Sequence, residues 1–318
     1  MKLTVPTILL LAAHLLAGPT DAGRPAAQLR QGVGARALAL GRAYGAEKGD
    51  AVAFLYNPAA SAGLNSVSLA LQQAYLPVER EMQYLGFARP VSSAKGRLFY
   101  GVGVTRMTLA KPIERRSSST PEPLYTFSET RYSGHLTACG WALKDLLSLG
   151  LGFHYLSHQL GEAQAGGYGF DLGGRWEPWS WLRVGVAAND AVGRMTWSTG
   201  WQEDLPLVTR EALGASLPLS FILDGELEQA WIWAGAANRW KLGLEWSGLG
   251  GALALRGGVD SGHPAAGLGL SLERQGWSWS LDYAAAAEDG AAGWLQHRVS
   301  LGLVLPNEET GELKGGGQ

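Results

Sequence analysis

Cysteine is almost missing from this chain: Cys139 is the only one among 318 residues. That excludes an internal disulfide and any zinc site built on cysteines, and it argues against a disulfide-stapled secreted domain. Charge is scarce too. Charged residues make up 17%, below the quarter or so of an ordinary soluble domain. A net charge of -2 with no block of one sign leaves no footprint for nucleic acid. Past the first two dozen residues, no apolar run approaches the roughly 18 residues of a membrane-spanning helix. If the chain crosses a membrane, it does so as a closed barrel of strands. Catalytic signatures are also lacking. Gly101-Val102-Gly103 and Gly166-Gly167-Tyr168-Gly169 precede no helix, so they are not phosphate loops, and no G-x-S-x-G elbow occurs. The reading is a non-enzyme without cofactor or metal.

What is present begins with a leader. Lys2, the apolar stretch Ile8 to Leu16 and the small-residue exit Thr20-Asp21-Ala22 read as a secretory signal peptide over 1–22. Forty-five glycines and thirteen tryptophans are both high. Glycine suits crowded faces and tight turns, and tryptophan collects at membrane–water interfaces.

From residue 66 to 305 the dominant signal has period two, as in Trp240, Leu242, Leu244 and Trp246 alternating with Lys241, Gly243 and Glu245. Alternation of this kind means strands with one apolar and one polar face. Such runs number about fourteen, among them 166–176, 182–190 and 209–217. Connections after odd strands include long polar ones, 110–130 and 191–208, while those after even strands stay short. An outer-membrane barrel sorts its loops this way, and a soluble sandwich has no reason to. Trp176, Trp179, Trp181, Trp240, Trp246 and Trp277 fall at strand ends, where interface girdles belong. The expected fold is an all-β, 14-stranded antiparallel transmembrane barrel, its apolar faces toward outer-membrane lipid.

The polar faces then line the lumen. Asp171, Arg175, Arg183, Lys241, Glu245, Arg256, Asp260 and Arg298 all fall on them. His154 and His158 share one face of a strand, about 13 Å apart, too far for one metal ion. One segment, 23–65, does not read as strand. Small residues dominate Gly32 to Ala46, suiting backbone that lies against backbone. Taken alone, it is either a short helix covering one end of the domain or a plug inside the lumen. The polar tail 306–318 reads as disordered.

Gly34-Ala35-Arg36-Ala37-Leu38 through Asn57-Pro58-Ala59-Ala60-Ser61-Ala62-Gly63-Leu64 resembles the N-terminal box of the PorV/PorQ family. Tyr84-Leu85-Gly86-Phe87-Ala88 and the closing His297-Arg298-Val299-Ser300-Leu301-Gly302-Leu303 are similar to two further motifs of that family. Tyr56 stands where the family often has Trp, and Ala60-Ser61 interrupts its N-P-A-G-L close. The resemblance implies a FadL-type outer-membrane barrel with an N-terminal plug centred on Asn57-Pro58. It also implies passage of hydrophobic small molecules, or help in export and surface attachment of secreted proteins by a type IX-like route. For transport, Leu38, Leu40, Phe54 and Leu55 are the candidate apolar residues. For docking of exported proteins, the loops 111–131 and 197–210 are. The competing reading is a soluble secreted β-protein that binds carbohydrate through exposed Trp197 and Trp201.

Overall fold

The computed structural model describes residues 24–47, 49–93, 96–116, 122–142, 146–218, 222–233, 237–288 and 295–306. The expected leader and the expected tail beyond Pro306 lie outside them.

The chain forms a closed antiparallel barrel of fourteen strands. They are β1 Ser68–Leu76, β2 Arg80–Ser93, β3 Gly96–Leu109, β4 Glu129–Ala142, β5 Leu147–Leu160, β6 Ala163–Trp179 and β7 Leu182–Trp197. The second half holds β8 Val208–Pro218, β9 Ile222–Ile232, β10 Ala237–Gly248, β11 Leu253–Asp260, β12 His263–Arg274, β13 Trp277–Ala287 and β14 Leu295–Val304. Each strand pairs with the next, and β14 closes on β1 from Val304↔Ser68 to His297↔Tyr75. Closure leaves no free edge, so the strands pair with one another all the way round without water.

Some strands run further than their hydrophobic alternation. β7 continues to Trp197 rather than stopping at 190, and β6 spans Ala163–Trp179 rather than 166–176. A barrel strand ends where its neighbour's backbone ends, not where its side chains stop alternating. The three-residue strand Gln202–Asp204 folds back on β7, shortening the loop expected at 191–208. The loop at 110–128 holds a small hairpin, Ile113–Arg116 with Pro123–Phe127.

Side-chain orientation is inverted relative to a water-soluble fold. On β5, Leu149, Leu151, Phe153 and Tyr155 are exposed, while Ser148, Gly150, Gly152, His154 and Leu156 are buried. The same order holds around the wall, with Leu71, Leu85, Val192, Leu213, Leu227, Leu268 and Leu301 outward. Apolar rows encircling a whole barrel are far larger than any patch a soluble monomer carries, so lipid is what covers them. This removes the premise of the soluble carbohydrate-binding reading. Trp197 is also only partly free: its indole N–H donates to Glu203 (3.0 Å) and its ring packs on His158.

Connections after even strands (94–95, 143–146, 180–181, 219–221, 249–252, 275–276) are uniformly short. The long ones, 110–128, 198–207 and 288–294, all lie at the other rim, although 161–162 and 261–262 there are tight turns. At the short-turn rim Trp176 is exposed, Trp179 and Trp181 stack at 5.6 Å, and Trp277 stacks on Trp279 at 6.2 Å. Trp246 also lies toward that rim, and Trp240 faces outward toward the other.

Candidate functional site

The lumen is occupied by the chain's own N-terminal segment. It starts near the long-loop rim, where Ala26 packs with Leu156, Ala165, Met195 and Leu205. It leaves through Leu64 toward β1 at the short-turn rim. Its regular pieces are brief: α1 Ala27–Arg30, α2 Ala35–Ala39, and 3-10 turns at Ala53–Leu55 and Pro58–Ser61. A longer helix is prevented at Gly41, whose φ is +62° and where an added Cβ would lie 2.6 Å from the Val259 backbone. Asn57 caps the second turn with Pro58 at its first position, and its Oδ1 accepts from the Ala59 amide at 3.0 Å.

Ion pairs and charge-assisted hydrogen bonds fix the first half of the segment. Arg36 forks onto Glu245 (2.9 and 3.2 Å) and reaches Glu47 (2.8 Å), which also takes Arg183 (2.8 Å). Arg183 pairs with Asp224, and Arg256 pairs with both Glu245 and Asp282. Arg42 donates to Asp260 (2.8 Å), which Arg239 also meets. Glu228 accepts from the Tyr44 and Gly45 amides (3.1 and 2.9 Å) and from Arg210 and Lys241. Arg175 donates to Ala46 O, and Arg298 to Gln31 O and Gly32 O. Burial pushes the Tyr44 and Tyr56 hydroxyls up, so they stay protonated donors: Tyr44 to Asp50 (2.5 Å), Tyr56 to Val33 O (2.8 Å).

Apolar contact fixes the second half. Val52, Phe54, Tyr56, Ala60 and Ala62 pack with Ala74, Met82, Tyr84, Phe99, Met107 and Cys139 of β1 to β4. Pro58 and Ala59 lie against Gly150 and Gly173, and Asn57 Nδ2 donates to Gly45 O (2.8 Å) and Gly174 O (3.1 Å).

All eight lumen candidates, Asp171, Arg175, Arg183, Lys241, Glu245, Arg256, Asp260 and Arg298, face inward; all but Asp171 bond the segment or a residue that holds it. The apolar candidates do not form one pocket. Leu38 is buried against Ala284 and Ala286, Leu40 and Phe54 pack against the wall, and only Leu55 borders a cavity toward the long-loop side. That cavity, about 40 Å³, is lined by Tyr56, His135, His154, Asp171, Asp190 and Arg210 among others. A second, about 270 Å³, lies between α2 and β12 to β14 and is ringed by Ser271, Ser278, Ser280, Ser300 and Asp282. Arg210 belongs to the lumen, not to a docking loop, and Arg131 donates inward to Gln28 (3.0 Å) and Glu129.

Several residues that matter here carry no sequence signal of their own, Arg36, Arg42, Glu47, His135, Asp190, Glu226 and Glu228, and Arg210 is one the sequence places in a docking loop. Glu226, Glu228 and Arg210 share the polar phase of their strands and were legible by period alone. Asp190 sits at a bulge, where alternation fails.

Solved FadL-like outer-membrane barrels share the closed barrel fold. The Pseudomonas putida toluene transporter TodX is similar, with TM-score 0.60 and 12% identity over 86% of this chain and 96% of that one. A Pseudomonas aeruginosa FadL homologue is similar with TM-score 0.54 and 11% identity over 86% and 98%. No family model and no curated protein matches the sequence.

Proposed function

We propose that this chain is an outer-membrane channel for small hydrophobic molecules, with residues 24–64 as its movable plug. The observation that carries this is the lumen itself. The segment crosses it from rim to rim and leaves cavities of about 40 and 270 Å³. A void of about 150 Å³ already admits benzene, so the larger cavity has room for one small hydrocarbon, and its passage from rim to rim requires the segment to shift. The fold likeness to TodX, a toluene transporter and monoaromatic hydrocarbon channel, supports the substrate class.

The native thiol offers a test. Cys139 of β4 and Ala62 of the segment pack in the same apolar contact, so Ala62→Cys places a second thiol near the native one. Uptake of toluene by proteoliposomes should be normal when the pair is reduced and fall at least tenfold when it is oxidised. Equal uptake in both states would show that the apolar half stays in place during passage. No uptake over empty liposomes would refute the channel. The long loops at one rim and the PorV/PorQ-like motifs would then favour a docking role for exported proteins.

A further inference from the structure

Beside α2 the lumen keeps one space large enough for a molecule, the cavity of about 270 Å³ at the short-turn rim. Strand phase builds its wall. Even positions of β1, β13 and β14 point inward, so Ser68, Ser278, Ser280 and Ser300 border it, and Ser271 of β12 joins them. Gly302 pairs with Ser280 on one side and Ala70 on the other, and a Cβ there would run into the Ser280 hydroxyl, so glycine keeps the space open. Ala35, Ala37 and Val52 of the segment and Ala70 of β1 supply its apolar surface.

Most of these hydroxyls are not used by the protein. Ser300 accepts the Ala35 amide at 2.8 Å. Among the described residues, Ser68, Ser271, Ser278 and Ser280 make no side-chain hydrogen bond. Ser68 is the most telling, because it is only 3% exposed and borders the cavity without a partner. A buried hydroxyl left unpaired is costly. Water would pair with it but gains nothing from the alanines and Val52 on the other side.

Charge is excluded as the means of recognition. Four charged residues border the cavity, Arg36, Asp50, Arg256 and Asp282, and each is already held. Arg36 pairs with Glu245 and Glu47, and Arg256 with Glu245 and Asp282. Asp50 accepts the Val52 and Ala53 amides and the Tyr44 hydroxyl. An ion entering here would lose its water and find no free counter-charge. A serine hydroxyl both donates and accepts, so it suits a neutral hydroxyl in either role. We propose that this cavity binds a neutral hydroxylated hydrocarbon of one ring, a small phenol, with its hydroxyl among the serines and its ring against the alanines and Val52. The proposal deepens the channel reading and rests on it for the route the ligand takes, though not for binding.

Toluene and p-cresol differ by one hydroxyl and make the test. Each is titrated into the full-length, detergent-solubilised barrel, against empty micelles, by calorimetry and by the amide resonances of Ala35 and Ala37. One p-cresol per chain should bind, about tenfold tighter than toluene, and shift both amides. Ser68→Ala combined with Ser280→Ala should remove that preference and leave toluene within about twofold. A heat-modifiable gel shift checks that the barrel forms; should the double variant fail, Ser280→Ala alone, at a half-buried position, should lower the preference about threefold. Equal affinity for the two ligands, or displacement of p-cresol by an equal concentration of glycerol, would overturn the proposal. Preferred binding of p-cresol without uptake by proteoliposomes would support the site and refute the channel. Uptake of toluene with no preference for p-cresol would overturn the site and leave the channel standing.

Discussion

The two halves of the lumenal segment are held by opposite chemistry. Residues 36–47 are tied to β7 and β9 to β11 by Arg36, Arg42, Glu47 and the carboxylates of Glu228, Glu245 and Asp260. Residues 52–64 sit against β1 to β4 through Phe54, Tyr56 and alanines, with almost no charge. The polar half gains little net stability from its pairs but is specific in register, since each buried charge is costly if its partner moves. The apolar half gains from area and tolerates small slips. A plug that must shift without leaving the barrel could pivot on one half and release the other.

Breaking the polar half gives the largest expected effect. Glu228→Ala removes the acceptor of two backbone amides and leaves Arg210 and Lys241 buried without it. Such losses cost about 3–5 kcal/mol. Amide hydrogen exchange at Tyr44 and Gly45 should accelerate about 100-fold or more, while that of residues 52–64 stays slow. Acceleration across the whole segment would mean that the two halves are one unit.

The apolar half should give a smaller response. Phe54 fills the space over Gly101 and Gly103. Phe54→Leu keeps most of the apolar volume and should cost under about 1.5 kcal/mol, read as faster exchange confined to residues 52–56. Faster exchange at 44–46 in this variant would merge the two halves in the same way.

The contrast between the halves is only half legible in the sequence. Period two assigns each strand residue to a face, which is why alternation alone places Lys241, Glu245, Arg256 and Asp260 inward. It does not say which inward residue meets which, because partners such as Arg36 and Glu245 lie 209 positions apart and depend on barrel closure. The segment itself carries no period, since Gly41 and Arg42 both take positive φ and interrupt any helix. The ion pairs of His154 are hidden for a related reason. Asp171 and Asp190 arrive from other strands through a bulge that alternation cannot show.

The smallest expected effect is that of salt, and it separates the polar half from ordinary surface electrostatics. Side chains of the Arg42–Asp260 and Arg210–Glu228 pairs are at most 9% exposed, so counter-ions do not reach them. Lys111–Glu79 at the rim is 75% and 53% exposed, and pairs of that kind contribute under about 1 kcal/mol and are screened. Raising NaCl from roughly 0.1 to 1 M, where the Debye length falls from about 10 to 3 Å, should therefore leave exchange at 44–46 within about twofold. A strong acceleration would show that water and ions enter the lumen beside α2. The serine-ringed cavity of about 270 Å³ is then the entrance, and the polar half, not the apolar one, is the part that releases first.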